Sequence, residues 1–251
     1  MNRTPPPDPT KEDIRRHCFA SYNSLRIGIA IVALIFPVAL LVSGYVNDVA
    51  NPGSMSAYYW AGAPVGGVPL QLQGSLFDLP LHAPPGRLWF VVGLFSIATF
   101  LYLYKGFTVG ENVALNLAAV FAVLVACYPM EINCTKLDAP KVADAFSYCF
   151  KGLNPHGVSA GALFVCLFYV VFLRAMDTLP ALGDPRLEQK FRWAYWVTGG
   201  LMIGGLGVAF AMHAVVSDYS TVTFSLETAG VVGFALYWVV KSIEMRYSQI
   251  E

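Results

Sequence analysis

Hydrophobic residues fall in six long runs, at roughly 25–46, 88–104, 113–130, 158–176, 193–216 and 221–240, with polar residues gathered between them. A helix needs about 20 apolar residues to cross a bilayer core of ~30 Å, because it rises about 1.5 Å per residue. In hydrocarbon each backbone amide must be bonded inside its own segment, so helices are the expected form. A transmembrane β-barrel would alternate apolar and polar positions over short segments; the run from Leu163 to Leu173 does not. The predicted fold class is all-α, a polytopic six-helix transmembrane bundle with a long outer loop between helices 1 and 2.

Composition agrees with the pattern. Of 251 residues, 56% are hydrophobic and 13% charged, against about 25% charged in soluble domains. This excludes an ordinary soluble globule and a disordered chain. Lys and Arg number 16, as do Asp and Glu, so no basic field is present for nucleic acid. The predicted organisation is a cytoplasmic N-terminal segment (1–24), a membrane domain (25–241) with outer loops at 47–87 and 131–155, and a cytoplasmic tail (242–251). The first run is too long for a signal-peptide core and follows a polar leader, so no cleaved signal is expected. Within that leader, Pro5, Pro6, Pro7 and Pro9 favour an extended segment. Thr10-Lys11-Glu12-Asp13 then resembles a helix start, with a short interfacial helix expected through Arg15, Arg16 and His17.

Positive charge sets orientation. With a cytoplasmic N-terminus, twelve of the sixteen Lys and Arg lie inside and only Arg87, Lys136, Lys141 and Lys151 lie outside. Both termini are therefore predicted to be cytoplasmic, in a cell inner (plasma) membrane. Arg26 and Lys241 fall near the cytoplasmic boundary, where their long stems can snorkel to water.

The first outer loop, 47–87, is rich in Gly and Pro yet carries Val68, Leu70, Leu72, Leu76, Phe77, Leu79 and Leu81. Disordered segments hold fewer apolar groups, so it is expected to fold back on the outer surface, lie in the interface, or meet a membrane-protein partner. The second outer loop contains Cys134 and Cys149, a candidate disulfide in an oxidising compartment. Closing that loop is worth ~3 kcal/mol in the chain-entropy model.

Polar side chains inside a membrane are costly and are functional candidates by default. Glu227 lies well inside the sixth run. His213 sits near the outer end of the fifth, and Glu131 closes the third. His156 opens the fourth, where Pro155 suits a first helical turn, and Ser159 shares its helix face. Ser54, Ser56, Tyr58 and Tyr59 lie just beyond the first, with Tyr58, Tyr59 and Trp60 readable as an interfacial aromatic belt. The candidate ligand-binding set is Ser56, Tyr59, Glu131, His156, Ser159, His213 and Glu227, all expected at the outer leaflet. His82, His156 and His213 with a carboxylate could hold zinc, but no HxxxH or HExxH pair is present. A Ser-His-carboxylate set lacks the GxSxG elbow. No cofactor motif is found. In the fifth run Gly200 and Gly204 form GxxxG, and Ala229 with Gly233 in the sixth is a matching small pair. Both are read as contacts between these two helices or with a second copy in a homo-oligomer. Asn116 is expected to bond between helices.

Several fragments resemble bacterial six-span proteins of the DUF998 and Frag1/DRAM-like families. They are Ser54-Met55-Ser56-Ala57-Tyr58-Tyr59, Phe90-Val91-Val92-Gly93, Tyr104-Lys105-Gly106-Phe107 with Glu111-Asn112 and Asn116-Leu117-Ala118, His156-Gly157-Val158-Ser159-Ala160, and Leu226-Glu227-Thr228 through Trp238-Val239-Val240-Lys241. The resemblance implies six helices and an outward cluster around Ser56, Tyr59, His156 and Glu227, and assigns no chemistry. This chain differs in carrying Trp60 where the relatives have His after the paired tyrosines, and in its longer first loop. The leading functional expectation is an integral membrane protein whose outer polar pocket binds a membrane lipid or amphiphile, or a partner subunit. The alternatives are a membrane-embedded, metal-dependent lipid hydrolase and an accessory subunit of a larger complex.

Overall fold

A computed structural model describes residues 10–47, 53–60, 85–128, 130, 155–215 and 219–248, apart from the side chains of 60, 85, 205–215 and 219–223. Among the described residues there are six α-helices: α1 Lys11–Val46, α2 Pro85–Leu103, α3 Val109–Cys127, α4 Pro155–Tyr169, α5 Pro185–Val215 and α6 Tyr219–Tyr247. No strand occurs among them. Five stretches are long and apolar enough to cross a membrane: Lys11–Val46, Gly86–Leu103, Val109–Cys127, Pro155–Arg174 and Phe224–Tyr247. The protein is thus a multi-pass membrane protein. α5 spans 31 residues, but its described part is rich in charge near its start, and the apolar run expected at 193–216 extends into side chains that are not described.

The helix ends follow from local chemistry. Thr10 and Asp13 form a reciprocal capping box at the start of α1, with the Asp13 amide 3.2 Å from Thr10 Oγ1 and the Thr10 amide 3.0 Å from Asp13 Oδ2. The separate interfacial helix expected around Arg15–His17 is instead the first turns of α1 itself. No breaker lies between His17 and Leu25, and Glu12 bonds both Arg15 and Arg16 one turn ahead. Thr108 caps α3 by accepting the Glu111 amide at 3.2 Å. α4 runs on into a π-helical turn, Val170–Arg174, and a short 3-10 turn, Leu179–Leu182. Gly183, with φ 70°, takes the left-handed conformation that ends this turn. Asp184 Oδ1 then accepts the Arg186 amide at 2.9 Å and starts α5.

The helices pack as α1 on α2, α2 on α3, α3 on α4, α5 on α6 and α6 back on α1, with α5 reaching the α4 side through the π and 3-10 turns that follow α4. α4 meets α6 where Phe164 lies over Gly230, and the π turn meets α5 where Phe172 lies over Gly199. α1 buries a stripe of Arg26, Ile29, Ala30, Ala33, Phe36, Leu40 and Gly44, spaced mostly by three or four positions. The buried alanines of α3 (114, 118, 119, 122 and 126) let its neighbours approach closely. Ile35, Val38, Val42, Val92, Val165 and Leu173 remain exposed on the outside of the bundle, as a lipid-facing surface requires.

The two small-residue motifs have different fates. Gly233 packs against α5, where an added methyl would lie 2.6 Å from Met202 Cγ and 3.1 Å from the Thr198 carbonyl oxygen. Gly200 and Gly204 face open space and make no close α5–α6 contact. The reason is angular: Thr198 and Met202 are buried against α6 while Trp196, Val197, Leu201 and Ile203 are exposed. The Gly200/Gly204 edge therefore turns away from α6. Asn116 likewise departs from expectation, since its side-chain oxygen is buried without a hydrogen bond.

Candidate functional site

Ionisable and hydroxyl groups concentrate at the two ends of the bundle. Glu227 and Lys241 mark them, separated on α6 by 14 residues, or about 21 Å of helix.

At the Glu227 end, residues 53–60 fold back into the mouth of the bundle. Gly53, at φ 90°, makes the turn, and its carbonyl accepts the Phe224 amide at 2.8 Å. The Met55 amide donates to Glu227 Oε2 at 2.5 Å. Ser54 Oγ accepts the Ala57 amide at 3.0 Å, capping the 3-10 turn Ser56–Trp60, and donates to Met130 Sδ at 3.6 Å. Tyr58 is 2% exposed. It lies on Gly44, where a methyl would sit 2.9 Å from its Cε1, and on Phe224 at 6.0 Å between ring centroids. Burial pushes the Tyr58 hydroxyl above the usual phenol range. An interfacial belt position for Tyr58 is therefore overturned: Gly44 leaves the space that draws the ring inward. Tyr59 is half-buried, with its edge against Phe90 and the Arg87 guanidinium 4.4 Å from its ring centroid.

This geometry gathers Ser56, Tyr59 and Glu227 around one segment. Glu227 itself is half-buried. His156 and Ser159 are both buried on one face of α4, as their spacing predicts. His156 Nδ1 faces the Tyr128 carbonyl at 2.7 Å, which fixes a tautomer with the proton on Nδ1. Among the described residues, no hydrogen bond or ion pair joins His156 to Glu227. The sequence-predicted cluster is thus split between an α6–cap pair and an α3–α4 pair. His213 belongs to α5, and its side chain lies outside the described residues. Glu131, Cys134, Cys149 and His82 lie outside them as well, as does the remainder of the segments 47–87 and 131–155. Among the described residues, no group of three or more His, Cys, Asp or Glu is placed to hold a metal ion.

The Lys241 end is denser in charge, and the sequence reading missed it. Arg26, Glu111, Lys241 and Glu244 are each at most 1% exposed. The snorkelling expected of Arg26 and Lys241 is therefore overturned: the connection 104–108 and the turn 175–184 close over them and leave no path to water. Lys241 spends its three donors on the Ala175 carbonyl at 3.1 Å, Thr178 Oγ1, and Glu244 Oε2 at 3.2 Å. Glu244 also accepts the Thr178 hydroxyl at 2.5 Å and the Tyr195 hydroxyl. This pair is fully bonded and ties α6 to α5 and to the turn after α4.

A few residues away the bonding is incomplete. Glu111 Oε2 accepts the Phe107 amide at 2.8 Å, but Oε1 is buried with no partner. Arg26 Nε and Nη2, the Tyr104 and Tyr237 hydroxyls and Trp238 Nε1 are likewise buried and unbonded. Tyr104 lies in the field of both Glu111 and Arg26, and burial, reinforced by the Glu111 charge, raises its hydroxyl far above the phenol range. Tyr104 and Trp238 meet edge to face at 4.7 Å, and Tyr237 and Trp238 at 5.2 Å. The charges themselves could have signalled this end. Glu111, Lys241 and Glu244 fall inside their helices rather than beyond them, and Lys241 with Glu244 has the i,i+3 spacing of an ion pair.

No family model, curated protein or solved structure matches the chain.

Proposed function

We propose that this protein is a six-span integral membrane protein of a bacterial inner membrane, with both termini cytoplasmic, whose outer mouth binds a lipid or amphiphile head group. The Glu227 end is then the outer mouth. The single observation that carries this reading is the Glu227 carboxylate itself. It stands eight residues beyond the start of α6, about 12 Å along the helix, where a carboxylate is expensive. Among the described residues it is bonded by one backbone amide, from Met55, and it stays half-buried rather than sealed. A purely structural carboxylate in a dry bundle would be enclosed and fully bonded, as Glu244 is. The segment that bonds Glu227 also carries the Ser56 hydroxyl, and the Arg87 guanidinium lies against the Tyr59 ring of the same segment, a polar and cationic edge that suits a head group with both hydrogen-bond donors and an anionic oxygen.

The six-span count rests on the fifth hydrophobic run, 193–216, and on the 31-residue length of α5 that carries it, and it agrees with the DUF998-like resemblance. The outer assignment rests on the distribution of Lys and Arg. Native mass spectrometry from mild detergent tests the binding. Lipid adducts retained by the wild type and lost in Glu227→Gln support the reading, and equal adducts in both overturn it. A topology reporter that places residue 149 in the cytosol would overturn the orientation.

A further inference from the structure

The unbonded polar atoms at the Lys241 end share one chemistry. Arg26 Nε and Nη2 are the two N–H groups along one edge of the guanidinium, the fork that grips a carboxylate through two parallel hydrogen bonds. Both are buried and make no well-formed hydrogen bond among the described residues, with the Tyr104 hydroxyl beside them and the Phe19 ring centroid 5.9 Å from the guanidinium carbon. Among the described residues Arg26 makes no ion pair, and neither does Glu111, the other unpaired charge. Lys241 gives its hydrogen bonds to Glu244 and to oxygens of the 175–178 turn, so it reaches Glu111 through its field but not by a hydrogen bond. The bundle therefore holds one cation and one anion apart, each at 1% exposure. Beside them stand two tyrosine hydroxyls and an indole N–H with no partners of their own. Tyr104, Tyr237, Trp238 and Phe107 line this end with aromatic rings, whose faces attract an ammonium group.

A simple anion would satisfy Arg26 but be repelled by Glu111. A simple cation would do the reverse. Packing alone does not account for the arrangement either, because unpaired buried charges cost several kcal/mol each. From the free Arg26 fork, the free Glu111 oxygen and the aromatic walls beside them, we propose that this end of the bundle is a binding site for a small zwitterion, a molecule with one carboxylate and one primary ammonium. Its carboxylate bonds the Arg26 fork, with Trp238 Nε1 and a tyrosine hydroxyl donating to the remaining lone pairs. Its ammonium donates to Glu111 Oε1. The five side chains are closed over in this structure, so the ligand enters when the 104–108 connection or the 175–184 turn moves aside. The site lies about 21 Å along α6 from Glu227, and it is independent of the reading of the outer mouth.

The test uses the full chain in mild detergent, with thermal unfolding read against a series of straight-chain ω-amino acids from glycine to 6-aminohexanoate, at millimolar concentrations. Acetate, methylammonium and their mixture at equal ionic strength are the controls. The expected result is a rise in Tm that peaks at one chain length and is absent from the controls. Glu111→Gln should abolish the length preference. Tyr237→Phe, which removes a single unbonded hydroxyl and is expected to fold, should weaken the apparent affinity several-fold while keeping the preferred length. A response no larger than that of the acetate and methylammonium mixture at every length would overturn the proposal. So would a length preference unchanged in folded Glu111→Gln.

Discussion

The two ends of α6 treat their carboxylates in opposite ways. Glu227 lies deep in an apolar helix yet is half-buried and, among the described residues, held by a single amide from a folded-back segment. Glu244 lies close to the end of the same helix yet is 0% exposed and bonded by Lys241, Thr178 and Tyr195. Depth along a helix and depth within the protein are therefore different quantities. The first is set by where the apolar run starts, the second by what neighbouring elements lay over the position. At the Glu227 end the described cover is a single short segment, 53–60. At the Lys241 end it is a π turn, a 3-10 turn and a wall of aromatic rings. The first arrangement leaves a carboxylate partly open, and the second uses one to lock three elements together.

The sharpest way to break this contrast is to remove one partner of the closed pair. Lys241→Met leaves Glu244 charged at a position that is 0% exposed, and loss of one buried partner costs about 3–5 kcal/mol. Equilibrium unfolding in mixed micelles should show a loss of that size. The double variant Lys241→Met with Glu244→Leu should recover most of it, because the uncompensated charge is then gone. A double variant as unstable as the single one would show that the hydrogen bonds to Thr178 and Ala175, not the charge pairing, carry the stability.

The next effect belongs to the other end. Gly44 holds its place because the Tyr58 ring fills the space a side chain would take: a methyl added there would lie 2.9 Å from the ring. Gly44→Val forces that ring out and should cost about 1–3 kcal/mol, the usual range for overpacking. The cap should loosen with it, read as faster hydrogen exchange at the Met55 and Phe224 amides. Gly200→Val, where an added methyl meets nothing, should stay within about 0.5 kcal/mol of wild type.

Much of the architecture was legible because lipid imposes a simple rule on sequence. All six apolar runs became helices, and the Thr10–Asp13 signature became a capping box. The site was legible only in part. The segment that carries Ser56 and Tyr59 does reach Glu227, through the Met55 amide, because it lies where α1 and α6 share an end of the bundle. His156 Nδ1 is committed to the Tyr128 carbonyl at the end of the adjacent helix, a bond that its spacing from Ser159 could not have shown. The fate of Tyr58 was hidden because an aromatic beside a span reads as an interfacial anchor unless the glycine opposite it is known. Arg26 and Lys241 misled for a similar reason. Snorkelling is judged from distance to the span end, whereas their burial depends on the 104–108 and 175–184 connections folding over them. The GxxxG pair misled because a motif names a smooth face but not the direction it points.

The smallest effect distinguishes the two carboxylates directly. Glu227→Gln keeps the shape of the side chain and retains an oxygen to accept the Met55 amide, losing only the charge assistance of that one bond. Hydrogen bonds to charged groups are worth about 1.5–3 kcal/mol and neutral ones about 1, so the loss in the bond is about 1 kcal/mol. Neutralising a half-buried carboxylate in an apolar bundle returns part of that by removing a desolvation cost. The net change should therefore fall below about 1 kcal/mol in either direction, well short of the change for Lys241→Met. Equilibrium unfolding of the two variants side by side reads the difference. If Glu227→Gln destabilised the protein as much as Lys241→Met does, Glu227 would be a structural lock like Glu244, and the outer mouth would lose the feature that sets it apart.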